Sequence, residues 1–356
     1  MGVVGLAVGC VVGLVGCTSG KTDAKASAGA SAAPTVPMVI GKEQAEAVFN
    51  RYAWERRDAV TRRDREAVAA VETGPLLAES QAWIDLLKAR AGYAGWVDSF
   101  GRPEFFIPAE KDQPGYPRSF AVTSREFAGT EQSRAGAVHY FVQDAPGGEW
   151  KATAMSWVND RAAAPHPART NEIGGFRLRD KEIAPLVRDA AGAVMLSPTA
   201  AADREVCGRY AKYMSFSVPD GKPESEHFVP GELTGGVVDA YNVLGEKLKL
   251  VDKWVSLEAV GGELPVVRLA DGKSLVTCNF VRTDFWNGRN ATFKYGSASM
   301  GDVGAMIGGM DKWWRNSTVR RGVTVSFEVP AGGGPADVVG SNAHLAPVLS
   351  AEGMPK

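Results

Sequence analysis

Apolar residues along this chain recur first at helical and then at strand spacing, and the chain runs through that order twice. After Lys42, the residues Ala45, Val48, Phe49, Tyr52, Ala53, Ala59 and Val60 fall mostly three and four positions apart, with a polar gap at Glu55 and Arg56. That spacing predicts an amphipathic helix. Residues 65–71 predict a short second helix closed by Gly74 and Pro75. Residues 79–91 predict a third, striped by Trp83, Leu86 and Leu87 and stopped at Gly92. Short β-rich runs follow at 104–108, 119–127, 137–143 and 150–158, and the turn residues Asp-Ala-Pro-Gly-Gly at 144–148 join the last two as a hairpin.

Beyond a linker at 162–169 the order returns. Ser197 and Pro198 suit a helix start, Ser as cap and Pro in the first turn, and Val206, Tyr210, Tyr213 and Met214 form its stripe. A polar loop at 219–230 precedes the cleanest helical period of the chain, Val237, Tyr241, Leu244, Leu248 and Val251. Strand-like segments occupy 264–269, 274–286, 291–295 and 323–329. A last one at 338–349 is marked as an edge by Pro347. Helices followed by strands, twice over, predict an α+β duplication.

The opening segment changes the picture. Residues 2–16 contain only Gly, Val, Leu, Ala and Cys, and the first charged side chain is Lys21. Leu14-Val15-Gly16-Cys17 reads as a lipobox, which predicts cleavage before Cys17 and lipid attachment to it. The apolar run is too short and too glycine-rich for a good spanning helix. No Lys or Arg follows Met1, which places the expected start of translation upstream. Residues 17–37 are rich in Ala, Ser and other small residues and predict a disordered tether. The expected address is the outer face of a bacterial cytoplasmic membrane.

Composition bounds the rest. The chain has 356 residues, 45% hydrophobic and 23% charged, and without leader and tether it is long enough for two domains. A net charge of −1 gives no basic excess of the kind a nucleic-acid binder carries. With Cys10 in the leader and Cys17 assigned to lipid, Cys207 and Cys278 remain. Outside the cytoplasm the two are expected to bridge, two buried thiols being the alternative.

The stretch from Tyr52 to Ala91, with Ala-Val-Glu-Thr-Gly-Pro at 70–75, and the hairpin ending Glu-Trp-Lys-Ala-Thr-Ala-Met-Ser-Trp at 149–157 resemble the NTF2-like (cystatin-like) fold. In that fold, N-terminal helices pack on a curved antiparallel sheet. Together with the leader, the tether and a C-terminal Val-Val-Gly-Ser-Asn-Ala-His at 338–344, the chain resembles uncharacterised actinobacterial cell-envelope lipoproteins. The resemblance implies tandem NTF2-like domains at 38–160 and 176–356, with a linker at 161–175 and a signal peptide at 1–16. It implies no cofactor and no established activity.

Candidate chemistry is sparse. His139, His166, His227 and His344 are scattered, without HExxH or paired CxxC spacing, so no metal site is expected. No G-x-S-x-G occurs. Enzymes of the resembled class place Asp, His or Tyr inside the cone, and the nearest matches are Asp98 and His139 in the first half and Asp239 and Tyr241 in the second. The alternative for each is an ordinary surface or rim residue. Arg56, Arg57, Arg62, Arg63 and Arg65 alternate with Glu55, Asp58, Asp64 and Glu66, as on a solvated helix face. Trp96, Trp286, Trp313 and Trp314 suit core packing, a pocket wall or an interface, and of the adjacent pair one is expected to be exposed.

The expectation is therefore a membrane-anchored binding or scaffolding protein that takes a cell-envelope protein or a small apolar or sugar-like ligand. A small-molecule enzyme acting in one cone is the rival. An isolated carboxylate or histidine with a shifted pKa inside a cone would favour the enzyme.

Overall fold

The computed structural model describes residues 37–90, 99–128, 131–159, 183–218, 225–247, 252–289, 291–295, 301–309, 311–342 and 347–356. Three helices open this body: α1 (Lys42–Arg62), α2 (Arg65–Val68) and α3 (Gly74–Ala89). Arg63 ends α1 in the left-handed conformation, and Asp64 then caps α2 by accepting the backbone N–H of Ala67 at 2.9 Å. Gly74 and Pro75, expected to close the second helix, instead open α3, because a proline in the first turn sacrifices no intrahelical hydrogen bond.

Four antiparallel strands follow, β1 (Ser99–Phe106), β2 (Arg118–Ala128), β3 (Glu131–Gln143) and β4 (Lys151–Asn159). The second half begins with α4 (Ala200–Asp203) and α5 (Glu205–Tyr213), then β5 (Phe216–Val218). A π-helical turn at Glu232–Gly236 leads into α6 (Val237–Lys247). β6 (Asp252–Val260), β7 (Val267–Arg268), β8 (Ser274–Asn287), α7 (Gly301–Met306), β9 (Trp314–Val329), β10 (Asp337–Ser341) and β11 (Val348–Pro355) complete the chain.

The expected tandem of two separate NTF2-like domains is overturned here. All eleven strands belong to one sheet, ordered β1-β2-β3-β4-β10-β9-β8-β6-β5, with β11 on β9 and β7 on β8. The join is made where Gly340 of β10 pairs with Val158 of β4. A Cβ at position 340 would sit 2.7 Å from the carbonyl oxygen of Trp157, so the approach of these two strands requires glycine. An edge that a free-standing domain would have to protect is thereby paired.

Burial on both faces of the first four strands is the second reason. On one face His139 and Phe141 of β3 join Phe49, Tyr52, Phe105, Phe120, Trp150 and Trp157 under α1. On the other, Val138 and Tyr140 join Phe106, Ala154 and Val158 against Val194, Leu264, Leu269 and Leu275 of the second half. The Tyr140 hydroxyl completes that contact with Thr277 Oγ1 at 2.7 Å. Residues from Val36 to Lys356 form one compact unit. A third core lies between α5, the π-turn and α6 on one side and β6, β8, β9 and β10 on the other, built on Tyr210, Leu233, Val238, Phe280, Val325 and Phe327.

Candidate functional site

Alternation along β6, β8 and β9 sends one set of side chains toward α5 and α6. Along β8 that set is Val276, Cys278 and Phe280, then Arg282, Asp284 and Trp286. The neighbouring strands contribute Leu257, Val255 and Lys253 from β6, and Phe327, Val325, Val323, Arg321 and Val319 from β9. The helix-covered face is therefore apolar over its first half and abruptly charged beyond Phe280. α5 is fixed to this face by the disulfide between Cys207 and Cys278, which the cysteine count predicted.

Asp284 is the anionic centre of the charged end. Lys253 Nζ lies 3.3 Å from its Oδ1, and Arg282 donates to the same oxygen at 2.8 Å. Lys253 and Asp284 are each only 5% exposed. Arg282 and Arg321 stand directly opposite each other on β8 and β9, an arrangement of like charges that costs stability unless something compensates it. Burial pushes the Asp284 carboxyl up, but Arg282, Lys253 and Arg321 together outweigh it and hold the group at about 2. The same burial lowers Lys253 and Arg321. Three cationic side chains thus surround one permanently ionised carboxylate. Asp302, the next acid near Arg321, is itself bound by Arg90 at 2.6 Å.

Aromatic rings finish the enclosure. Lys253 Nζ stands 3.7 Å from the centroid of the Tyr241 ring and 4.4 Å from that of Trp286, and the Arg282 guanidinium carbon lies 4.9 Å above Tyr241. Cation–π attraction holds these cations in place without neutralising them. Arg282 also forms the polar wall of a cavity of about 40 Å³ whose other sides include Tyr210, Met214, Leu233, Val255, Leu257 and Val323. Its Nε is buried without a hydrogen-bond partner.

A second buried polar group lies under α1 and α3. Arg56 Nε donates to Glu72 Oε1 at 3.0 Å, and Asn342 Nδ2 donates to Glu79 Oε2 at 2.9 Å. Glu72 is placed by the pairing of residues 71–73 with Ala152 of β4. Glu79 fits only because residue 322 on β9 is glycine, where a Cβ would lie 2.5 Å from its carboxyl oxygen. Burial raises Glu72 to about 7 against the opposing charge of Arg56. Burial and the neighbouring Glu72 raise Glu79 to about 8. His139 is fully buried close by, its Nε2 2.8 Å from the Ser124 hydroxyl. Burial, and then the charge of Arg56, lower it to about 3, so it is neutral.

Of the residues singled out in the sequence, Tyr241 enters the cationic site and Asp239, two positions away, is exposed on the outside of α6. His139 is neither a surface residue nor a rim residue; the rings of Phe49, Tyr52 and Phe100 enclose it. Asp98, Trp96 and Cys17 lie outside the described residues, as do His166 and His344. Trp286 is buried over Lys253. Of the adjacent pair, Trp314 is buried and Trp313 is 48% exposed. Arg56, grouped in the sequence with a solvated face, is buried, because it occupies the same helical stripe as Ala45, Phe49 and Tyr52.

Lys253, Arg282, Asp284, Arg321, Glu72 and Glu79 were not legible as site residues. A signal existed for Glu79 and for Arg56, the partner of Glu72. Arg56 interrupts the apolar stripe of α1, and Glu79 sits three residues after Leu76 on the buried stripe of α3. β6, which carries Lys253, has an alternating pattern broken at its start by Lys253 on the covered side and Trp254 on the exposed side.

Residues 36–171 match a family model described as "Domain of unknown function (DUF8094)". No curated protein and no solved structure matches this chain. The charged face of β6, β8 and β9 falls outside the matched residues, so its chemistry is read from its own geometry.

Proposed function

We propose that the protein is an extracytoplasmic lipoprotein, anchored through Cys17, that binds a small anionic ligand on the helix-covered face of its second half. The observation that supports the binding reading is the set of three cations, Lys253, Arg282 and Arg321, around the single carboxylate of Asp284. Three cations crowd around one carboxylate, Arg282 and Arg321 repel each other, and an anion placed among these groups offsets that repulsion. The lipobox and tether support the location, and among the described residues no helix is long and apolar enough to cross a membrane.

Binding is favoured over catalysis by the protonation states. Asp284 is held ionised at about 2 and is too weak a base to abstract a proton. His139 is neutral but walled in by aromatic rings, and the carboxyls that titrate near neutrality belong to the separate group under α1 and α3.

The test is a thermal-shift titration of the full chain in detergent with phosphate, sulfate and acetate at constant ionic strength. An anion at 100 times its dissociation constant raises stability by about 2.7 kcal/mol. The expected result is a saturable rise that Arg282→Gln abolishes; an equal rise in wild type and variant would overturn the reading. Lipid attachment is tested by metabolic labelling with a radioactive fatty acid, which Cys17→Ala should eliminate.

A further inference from the structure

In its second half the sheet has another face, turned away from α5 and α6. One row of residues crosses five strands of it in direct register: Ser217 on β5, Trp254 on β6, Phe285 on β8, Thr318 on β9 and Glu352 on β11. At the usual strand spacing that row is about 19 Å long. Trp254 is 42% exposed, whereas Lys253 and Val255 on either side of it are buried. Its ring stands 5.2 Å from that of Phe285, so the two form one aromatic patch in the middle of the row. Glu79 of α3 rests on Gly322 of β9, and two residues back Arg320 is already exposed.

We infer that this face is a glycan-binding platform. A sugar ring of an uncharged oligosaccharide stacks on Trp254 and Phe285, and polar side chains in the flanking rows take its hydroxyls.

The chemistry of the face supports that occupant. A pyranose has an apolar C–H face and a rim of hydroxyls, and the platform repeats this division. In one flanking row Asn287 stands opposite Asn316. Their Oδ1 atoms accept the backbone N–H groups of Arg289 and Met354 at 3.3 and 3.1 Å, which orients both amides. Their Nδ2 groups have no partner among the described residues and remain able to donate. In the row on the other side, Thr283 lies between Ser256 and Arg320. Neither Thr283 nor Thr318 spends its hydroxyl on the described residues. Neutral donors and acceptors therefore border an exposed indole on both sides.

Other occupants match less of this. A protein interface of standard size buries about 800 Å² on each partner around an apolar centre, and the apolar centre here is two rings. An anionic membrane surface attracts basic patches, whereas Arg320 lies diagonally across from Glu352 on the adjoining strand. A cross-strand aromatic pair also strengthens a sheet, so the test reads binding rather than stability. The platform is on the opposite face of the sheet from Lys253 and Asp284, and an uncharged sugar does not compete for that site. The two readings are therefore independent.

The experiment is isothermal titration of the full chain, in a detergent without a sugar headgroup, with cellohexaose, maltohexaose and chitohexaose. At least one hexamer should bind saturably. Trp254→Ala should weaken that binding about tenfold or more, as truncation of a Trp at the centre of a contact does, while Trp254→Phe retains most of it. Thr318→Val, which keeps the shape and removes the hydroxyl, should weaken it about fivefold. Trp54→Ala, which removes the 69% exposed indole of α1, should change nothing. If none of the hexamers binds a chain that melts cooperatively, or if Trp254→Ala binds as tightly as wild type, the inference is overturned and the anion reading is untouched. Should Trp254→Ala fail to fold, Thr318→Val decides in its place, and an unchanged affinity overturns the inference.

Discussion

Asn342, just beyond β10, donates its Nδ2 hydrogen to Oε2 of Glu79 on α3 across 263 residues of sequence. Its own Oδ1 accepts the backbone N–H of Thr324, whose hydroxyl in turn donates to Asn279 at 2.9 Å. A buried polar chain therefore runs from the N-terminal helices into the centre of the sheet. Asn342→Ala should cost about 1–3 kcal/mol, the penalty for leaving buried polar groups unsatisfied. Urea denaturation at neutral pH measures it, and a change within error would show that water replaces the amide.

The carboxyls of Glu72 and Glu79 make stability fall as pH rises. In the unfolded chain both lose their protons near 4.5, whereas burial keeps them protonated in the fold up to about 7 and 8. The folded state then holds more protons across that window, so unfolding becomes easier with increasing pH. His139 acts in the opposite direction, because its folded value of about 3 lies below the unfolded 6.5, and its contribution is lost as pH falls through that range. Between 4.5 and 6.5 the two effects oppose each other; above 6.5 only the carboxyls act. The melting temperature should therefore drop from pH 6.5 to pH 8.5, and Glu79→Gln, which mimics the protonated acid, should flatten most of that drop.

Reduction of the disulfide between Cys207 and Cys278 should weaken the whole body. The bridge spans a sequence separation of 71 residues, for which loop-closure entropy gives about 4 kcal/mol. A Cys207→Ala/Cys278→Ala double variant compared with wild type by chemical denaturation tests the size. Because the sheet is continuous, the loss should appear as one shifted transition; a separate early transition confined to the second half would contradict that.

Lys253→Met should leave the unliganded protein as stable as wild type or more so. The substitution removes a buried cation while Asp284 keeps the hydrogen bond from Arg282, and a thioether still packs on Tyr241 and Trp286. The same variant should lose much of the stabilisation by phosphate. Melting curves with and without the anion check both halves of the expectation. A variant that is strongly destabilised without ligand would show that Lys253 is needed to satisfy Asp284.

The order of elements could be read from the chain because it rests on local periodicity. The stripes Phe49–Tyr52 on α1 and Val206–Tyr210–Tyr213 on α5 predicted helices, and β8 and the hairpin of β3 and β4 were visible as runs of β-formers between turn residues. β6 was missed, since Lys253 stands where the pattern demands an apolar residue. The pairing of Cys207 with Cys278 followed from counting cysteines in an expected oxidising compartment.

What the pattern could not give was the partner of each face. Ala-Val-His-Tyr-Phe-Val at 137–142 is an almost unbroken apolar run, the mark of a strand buried on both sides, yet nothing local says that the second covering layer comes from residues 264–275. Gly340 meeting Val158, and Gly322 making room for Glu79, are contacts between residues far apart in sequence, and they turned the expected pair of domains into one sheet. The cationic site is of the same kind. Lys253, Arg282 and Arg321 come from three strands, and each alone reads as an ordinary surface charge. Their charge becomes informative only when strand register and the overlying α6 place them together out of water, because burial, which sequence spacing does not encode, is what makes an unbalanced cluster costly.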